Sequence, residues 1–267
     1  MCHYLAQSIA GSEIIHFGVP ELGIREHENY KALLDEKSIF DIESKGDLEF
    51  ACDSQIDGII RVNCLEIDGR IQESAKSFVL KLISEGQYGD TFGLLKQEKL
   101  MRAHIRGGDI WQTKFFRNNR FIHENYMALP ISFYEKIMAS SRIRLELVME
   151  DGSPRWYQKE ISHRLKDVEI ASSKNLRNDF FNLMFAEEVA IGVSTFSWMA
   201  ALLGGANTIH FPVVGLLDKI ERPDLDFAIS QRNVKTYKFP VHNWTGTRAD
   251  AEWLFDAPTW IEGNFDK

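Results

Sequence analysis

The sequence predicts an α/β protein whose second half is Rossmann-like, and three observations carry that expectation. From Met101 onward, short β-type runs alternate with helix-type runs at spacings that suit βαβ units and a mostly parallel sheet. The runs are stopped by strong breakers, with Gly204-Gly205 after one helix and Pro212 after one strand. Two strand-type runs lead into loops rich in glycine or hydroxyl groups, at His104 to Asp109 and at Val193 to Trp198.

In chain order, Met101 to Arg106 reads as a strand and Ile131 to Ala139 as a helix. Leu145 to Met149 is a strand, Trp156 to Leu165 a helix and Val168 to Ala171 a short strand. Asn178 or Asp179 is expected to cap a helix through Glu187, with Phe180, Leu183 and Met184 on one face. Val189 to Val193 is a β-branched strand, Ser197 to Leu203 a helix, and Thr208 to Phe211 a strand ended by Pro212. In the first half, Tyr4 to Ala10 reads as a helix, Glu13 to Phe17 as a strand, Ile59 to Ile67 as a β-rich run and Ala75 to Ser84 as an amphipathic helix. The polar, glycine-rich Gly86 to Gly93 suits a connection, which gives residues 1–97 as one lobe and 98–217 as a second. Residues 218–267, with Pro223, Pro240 and three tryptophans, are expected to form an extension packing back across the first lobe.

With 267 residues, 44% hydrophobic and 26% charged, the chain has enough apolar surface for a large core without disulfides. The net charge of −8 argues against a nucleic-acid coat, which needs a dense basic face. No apolar run approaches a bilayer span and no signal-peptide pattern opens the chain, so the expectation is a cytoplasmic protein without stable membrane insertion, able to associate peripherally with the inner membrane face. Cys2, Cys52 and Cys64 lack metal-ligand spacing, the eight histidines show no i, i+4 pair, and no metal is expected. Asp224-Leu225-Asp226 follows Pro223 with no apolar strand before it and reads as a solvated turn. Neither a Walker sequence nor G-x-S-x-G occurs.

Charge is unevenly distributed. Between Glu21 and Asp57 eleven acids face four bases, a pattern of solvated surface. Between Met101 and Arg120, Arg102, Arg106, Lys114, Arg117 and Arg120 face only Asp109. In an open parallel sheet ligands collect at the carboxyl ends of strands. At His104-Ile105-Arg106-Gly107-Gly108-Asp109, glycine amides and an arginine fork suit an anion, or else Arg106 and Asp109 pair across a tight turn. At Ser194-Thr195-Phe196-Ser197, hydroxyls and helix N-terminal amides suit the same anion, or else Ser194 or Ser197 only caps the helix. Phe115, Phe116, Phe121 and Tyr126, interleaved with Arg117 and Arg120, suit single-stranded nucleic acid or, better in a chain of net charge −8, a loop over the ligand site.

Together with Asp179-Phe180-Phe181-Asn182-Leu183-Met184 and the continuation Trp198-Met199-Ala200-Ala201, these motifs resemble the fucosyltransferase superfamily over roughly Leu100 to Pro212. That superfamily includes α-1,2-, α-1,6- and protein O-fucosyltransferases and many bacterial relatives. The resemblance implies a GT-B fold, two Rossmann-like lobes facing a cleft, with donor binding in the second lobe and acceptor binding by the first. It also implies inverting, metal-independent transfer from a nucleotide sugar, typically GDP-fucose, to a glycan hydroxyl in surface polysaccharide or lipopolysaccharide synthesis. Arg106 would hold the β-phosphate, His104 and Asp179 would lie near the guanine or ribose, and Gly107, Gly108 and Ser194 to Ser197 would contact the diphosphate. Asp109, His123 and Glu124 are the candidates for the base that activates the acceptor. The superfamily usually carries a second arginine where this chain has Gly107, with Arg102 or Arg117 as possible replacements. A different nucleotide sugar, or a nucleotide-sugar-binding protein without turnover, are the alternatives.

Overall fold

The computed structural model describes residues 39–42, 59–62, 76–77, 79–81, 83–85, 98–111, 126–166, 168–171, 175–222, 227, 229, 233–240, 242 and 244–262. The chain divides into two compact units, Met1–Leu95 with Asp224–Ala228, and Lys96–Pro223 with Ile229–Lys267. In the first unit, β1 (Ile39–Ile42) and β2 (Ile59–Val62) pair in parallel, with Ile39 opposite Ile59. β2 takes the start of the expected β-rich run, and β1 lies inside the acid-rich stretch. Helical residues occur at 76–77, 79–81 and 83–85, where Ile83 is buried. The helix expected at Tyr4 to Ala10, the strand at Glu13 to Phe17 and the connection at Gly86 to Gly93 lie outside the described residues.

The second unit is built on seven strands in the order β5-β4-β3-β6-β7-β8-β9. They are β3 (Glu98–Ile105), β4 (Leu145–Met149), β5 (Glu169–Ala171), β6 (Ala186–Ala190), β7 (Thr208–Val213), β8 (Asn233–Lys238) and β9 (Trp260–Glu262). The first six are parallel and β9 is antiparallel to β8. Counted from β3, the parallel order is 3-2-1-4-5-6, that of doubly wound nucleotide-binding sheets, with its switch point between β3 and β6. β3 runs from exposed Glu98 to full burial at Met101 to Ile105, as a central strand covered on both faces must. The covering helices are α1 (Ile131–Ser140), α2 (Arg155–Arg164), α3 (Leu176–Met184), α4 (Thr195–Leu203) and α5 (Ala251–Asp256). Helices α3 and α4 pack against each other.

Several boundaries differ from the sequence reading for identifiable reasons. Helix α3 is capped by Asn175, whose side chain accepts from Arg177 N at 3.0 Å, and so starts before Asn178 and Asp179. It stops at Met184 because Ala186 to Glu188, helix formers by propensity, are recruited into β6, where Glu188 pairs with Met101 and Thr208. Tertiary pairing thus moves β6 three residues ahead of its expected start at Val189. Pro212 lies inside β7 rather than ending it. His210 accepts from Ile191 on the β6 side, so Pro212 also faces that side, where β6 has already ended at Ala190. Helix α4 ends at Gly204, where a Cβ would stand 2.3 Å from the Met184 carbonyl oxygen at the end of α3.

Residues 229–267, part of the segment 218–267 read as an extension, belong to the second unit. β8 and β9 complete the second unit's own sheet, and α5 packs on α1. Along Asn-Val-Lys-Thr-Tyr-Lys burial deepens from exposed Asn233 to buried Thr236 and Tyr237, and without β8 one edge of β7 would be unpaired.

Candidate functional site

Arg106 follows the last residue of β3 and sits at the switch point of the sheet. Its Nη1 lies 3.4 Å from Ser194 Oγ, beyond β6, and 3.4 Å from Glu150 Oε2, beyond β4. The guanidinium also stands 5.7 Å from the Tyr126 ring centroid. Arg106 therefore links the ends of three adjacent strands. Glu150, absent from the sequence candidates, is signalled only by its position at the end of a β-type run before the Asp151-Gly152 turn.

The two glycines act differently from the expectation. Gly107 N donates to Glu150 Oε2 at 3.1 Å and Gly108 N donates to Asp151 O at 2.9 Å, so both amides are already bound within the protein. A Cβ on Gly107 would stand 2.4 Å from Glu150 O, and one on Gly152 would stand 2.9 Å from Gly108 Cα. Gly108 and Gly152 also hold φ values of 60° and 93°, a region that favours glycine. Gly107 and Gly108 serve backbone packing between two turns, and their expected role as amide donors to an anion is corrected. Arg102 is likewise no substitute for a second cation. It is buried and held by Glu146 at 2.6 Å, Glu98 at 2.6 Å and Asn182 O at 2.9 Å.

At the start of α4, Ser194 is the N-cap, its Oγ accepting from Phe196 N at 3.2 Å. Ser197 is fully buried and fastens the preceding loop, accepting from Gly192 N at 3.1 Å. The hydroxyl of Ser197 is thus spent on the fold, while Ser194 caps the helix and also meets Arg106. Thr195 and Phe196 are half-buried at the first turn.

A small pocket of about 80 Å³ opens beside this junction. His104, Arg106, Glu150, Asp179 and Phe196 line it, together with Leu176 and Val148. His104 is 2% exposed, and its Nδ1 finds no hydrogen-bond partner among the described residues. Burial, and secondarily the Arg106 charge, push its pKa down to about 3, so the ring is neutral at physiological pH. A Cβ on Gly192 would lie 2.8 Å from that Nδ1, so glycine there is what lets the loop approach the ring. Phe196 packs 5.6 Å from His104 and 5.4 Å from Phe180. Asp179, on the first turn of α3, is buried at the pocket wall.

The fold thus brings His104, Arg106, Asp179 and Phe196 into one pocket and sets Ser194 against Arg106. Asp109 lies in a 3₁₀ turn, Gly108–Trp111, and its side chain is outside the description. That turn is anchored by Trp111 Nε1 donating to Arg106 O at 3.4 Å and by Trp244 Nε1 donating to Ile110 O at 2.8 Å. His123, Glu124, Arg117 and Asp224 to Asp226 lie outside the described residues. Among the described residues, no helix is long and apolar enough to cross a membrane. Comparison with protein-family models, with curated proteins and with solved structures finds no match to this chain.

Proposed function

We propose that this chain is a fucosyltransferase-like glycosyltransferase, inverting and metal-independent, that moves a sugar from a nucleotide diphosphate sugar, GDP-fucose in the first instance, to a glycan hydroxyl. The observation that supports it best is the position of Arg106, at the sheet's switch point against a capped helix N-terminus and beside a buried neutral histidine. Cleavage of the sugar–phosphate bond builds negative charge on the departing diphosphate, and a fixed cation aimed there gives the largest stabilisation. Losing one such contact costs roughly 10²–10³ in rate. Arg106 is assigned that role. His104 and Asp179 are assigned to the nucleoside, an uncharged ring nitrogen and a carboxylate being suited to neutral hydrogen-bonding edges. Asp109, His123 and Glu124 remain the proposed bases. The reading includes a GT-B arrangement, a surface-polysaccharide or lipopolysaccharide acceptor and work at the inner membrane face.

Calorimetry with GDP, UDP, CDP and ADP, with and without EDTA, on wild type and Arg106→Ala tests the proposal. The expected result is EDTA-insensitive GDP binding that the substitution abolishes. No nucleotide bound by a folded wild-type sample would overturn it. The closed packing at Gly107 favours one alternative, a transferase for another nucleotide sugar, because no second arginine fits there. Preference for UDP, CDP or ADP over GDP would select that alternative.

A further inference from the structure

We infer that Glu150 is a specificity-determining residue that accepts hydrogen bonds from the ribose diol of the nucleotide and thereby sets the direction in which the ligand lies. This rests on the nucleotide-sugar reading and adds to it a group and an orientation.

Four observations carry the inference. First, Glu150 uses one oxygen only. Oε2 accepts from Gly107 N at 3.1 Å and pairs with Arg106 at 3.4 Å, while no hydrogen bond to Oε1 is found among the described residues. Second, the carboxylate stands on the pocket wall. The side chain is 33% exposed, and the residue beside Oε1 is Gly108, where a Cβ would stand 3.4 Å away. Third, Glu150 stands where doubly wound sheets take their ligands. In such sheets an acid in the first βαβ unit takes a ribose hydroxyl near the carboxyl ends of the strands. Here β4 follows β3 both in sequence and in space, and Glu150 directly follows its last residue. Fourth, the same pocket holds the buried, neutral His104, so its lining offers a nucleoside an uncharged polar side chain besides the Arg106–Glu150 pair.

Charge then fixes the orientation. An ionised carboxylate only accepts hydrogen bonds, so it attracts hydroxyls and repels phosphate. Arg106 stands between Glu150 on the β4 side and Ser194 on the β6 side. The diphosphate is driven toward Ser194 and the α4 N-terminus, and the sugar ring toward β4. A nucleotide lying the other way would set its phosphates against Glu150.

The test is calorimetric binding of GDP and UDP, each paired with its 2′,3′-dideoxy counterpart, and of inorganic diphosphate, to wild type, Glu150→Gln and Arg106→Ala. Glutamine keeps an oxygen for Gly107 N and removes the charge. A hydrogen bond to a charged acceptor predicts that wild type binds the ribonucleotide about tenfold or more tightly than the dideoxynucleotide. In Glu150→Gln the ribonucleotide loses about that factor, the dideoxy compound changes little and diphosphate binds at least as well. A purely structural role would weaken all three ligands together, which overturns the inference. So does an unchanged ribose preference in the variant, or equal binding of the two nucleotides by wild type, a readout that needs no variant to fold. Binding that depends on Arg106 but not on Glu150 would remove this inference and leave the proposed function standing. No nucleotide binding by folded wild type would remove both.

Discussion

At the residue scale, burial dictates what the pocket side chains can do. His104 holds a pKa of about 3 against an ordinary 6.5, so the folded protein takes up its proton much less readily than the unfolded chain does. The stability linked to this group is therefore complete above about pH 6.5 and is lost as pH falls toward 3, at up to about 1.4 kcal/mol per pH unit. His104→Gln is expected to flatten the pH dependence of urea unfolding by about that slope between pH 6 and pH 4. An unchanged slope would show that the ring is not buried as described. Glycine 107 is governed by contact instead of charge. Its nearest neighbours, Glu150 O and Asp151 O, are backbone atoms that cannot rotate away, so Gly107→Ala is expected to destabilise by roughly 1–3 kcal/mol in denaturant unfolding.

Element ends decide where these residues meet. The carboxyl ends of β3, β4 and β6 supply Arg106, Glu150 and the Ser194 cap, and only adjacency in the sheet makes them one junction. The N-cap of α4 has two duties, since Ser194 Oγ accepts from Phe196 N and from Arg106. Ser194→Ala is expected to cost about 1 kcal/mol of stability from the lost cap. It should also weaken GDP binding in calorimetry, whereas a cap with no link to the ligand would change stability alone. Elsewhere a polar chain crosses three neighbouring strands within the sheet. His210 Nε2 meets Glu188 Oε2 at 3.0 Å and its Nδ1 meets Tyr237 oxygen at 2.6 Å. Burial lowers the His210 pKa despite the carboxylate, and the hydrogen bond with His210 lowers that of Glu188. Both shifts remove stability as pH falls, the first from about the ordinary histidine value downward and the second from the carboxylate range downward.

At the scale of the whole molecule, the C-terminal segment completes the second unit's sheet and holds it together. β8 covers β7, β9 covers β8, Leu254 of α5 is buried, and Arg164 of α2 donates to Phe255 O at 2.7 Å. Gly246 and Trp244 reach back to the Ile110 carbonyl, so the turn behind Arg106 is fixed by a residue 134 positions away. Truncation after Pro223 is expected to abolish cooperative thermal unfolding of the sheet measured by circular dichroism; a sharp transition in the truncated chain would contradict this account. The sequence by itself determined the alternation of strands and helices between residues 101 and 211, the helix break at Gly204, and the loops containing Arg106 and Ser194. These are local signals, written in periodicity and in residues with special backbone or capping chemistry. Only the tertiary structure decided that Ala186 to Glu188 are a strand, that Gly107 and Gly108 serve packing, that Ser197 is consumed by its own loop, and that Glu150 stands beside Arg106. Each depends on a neighbour remote in sequence, in strand register, in close backbone approach or in ion pairing, and no local pattern specifies which neighbour that is.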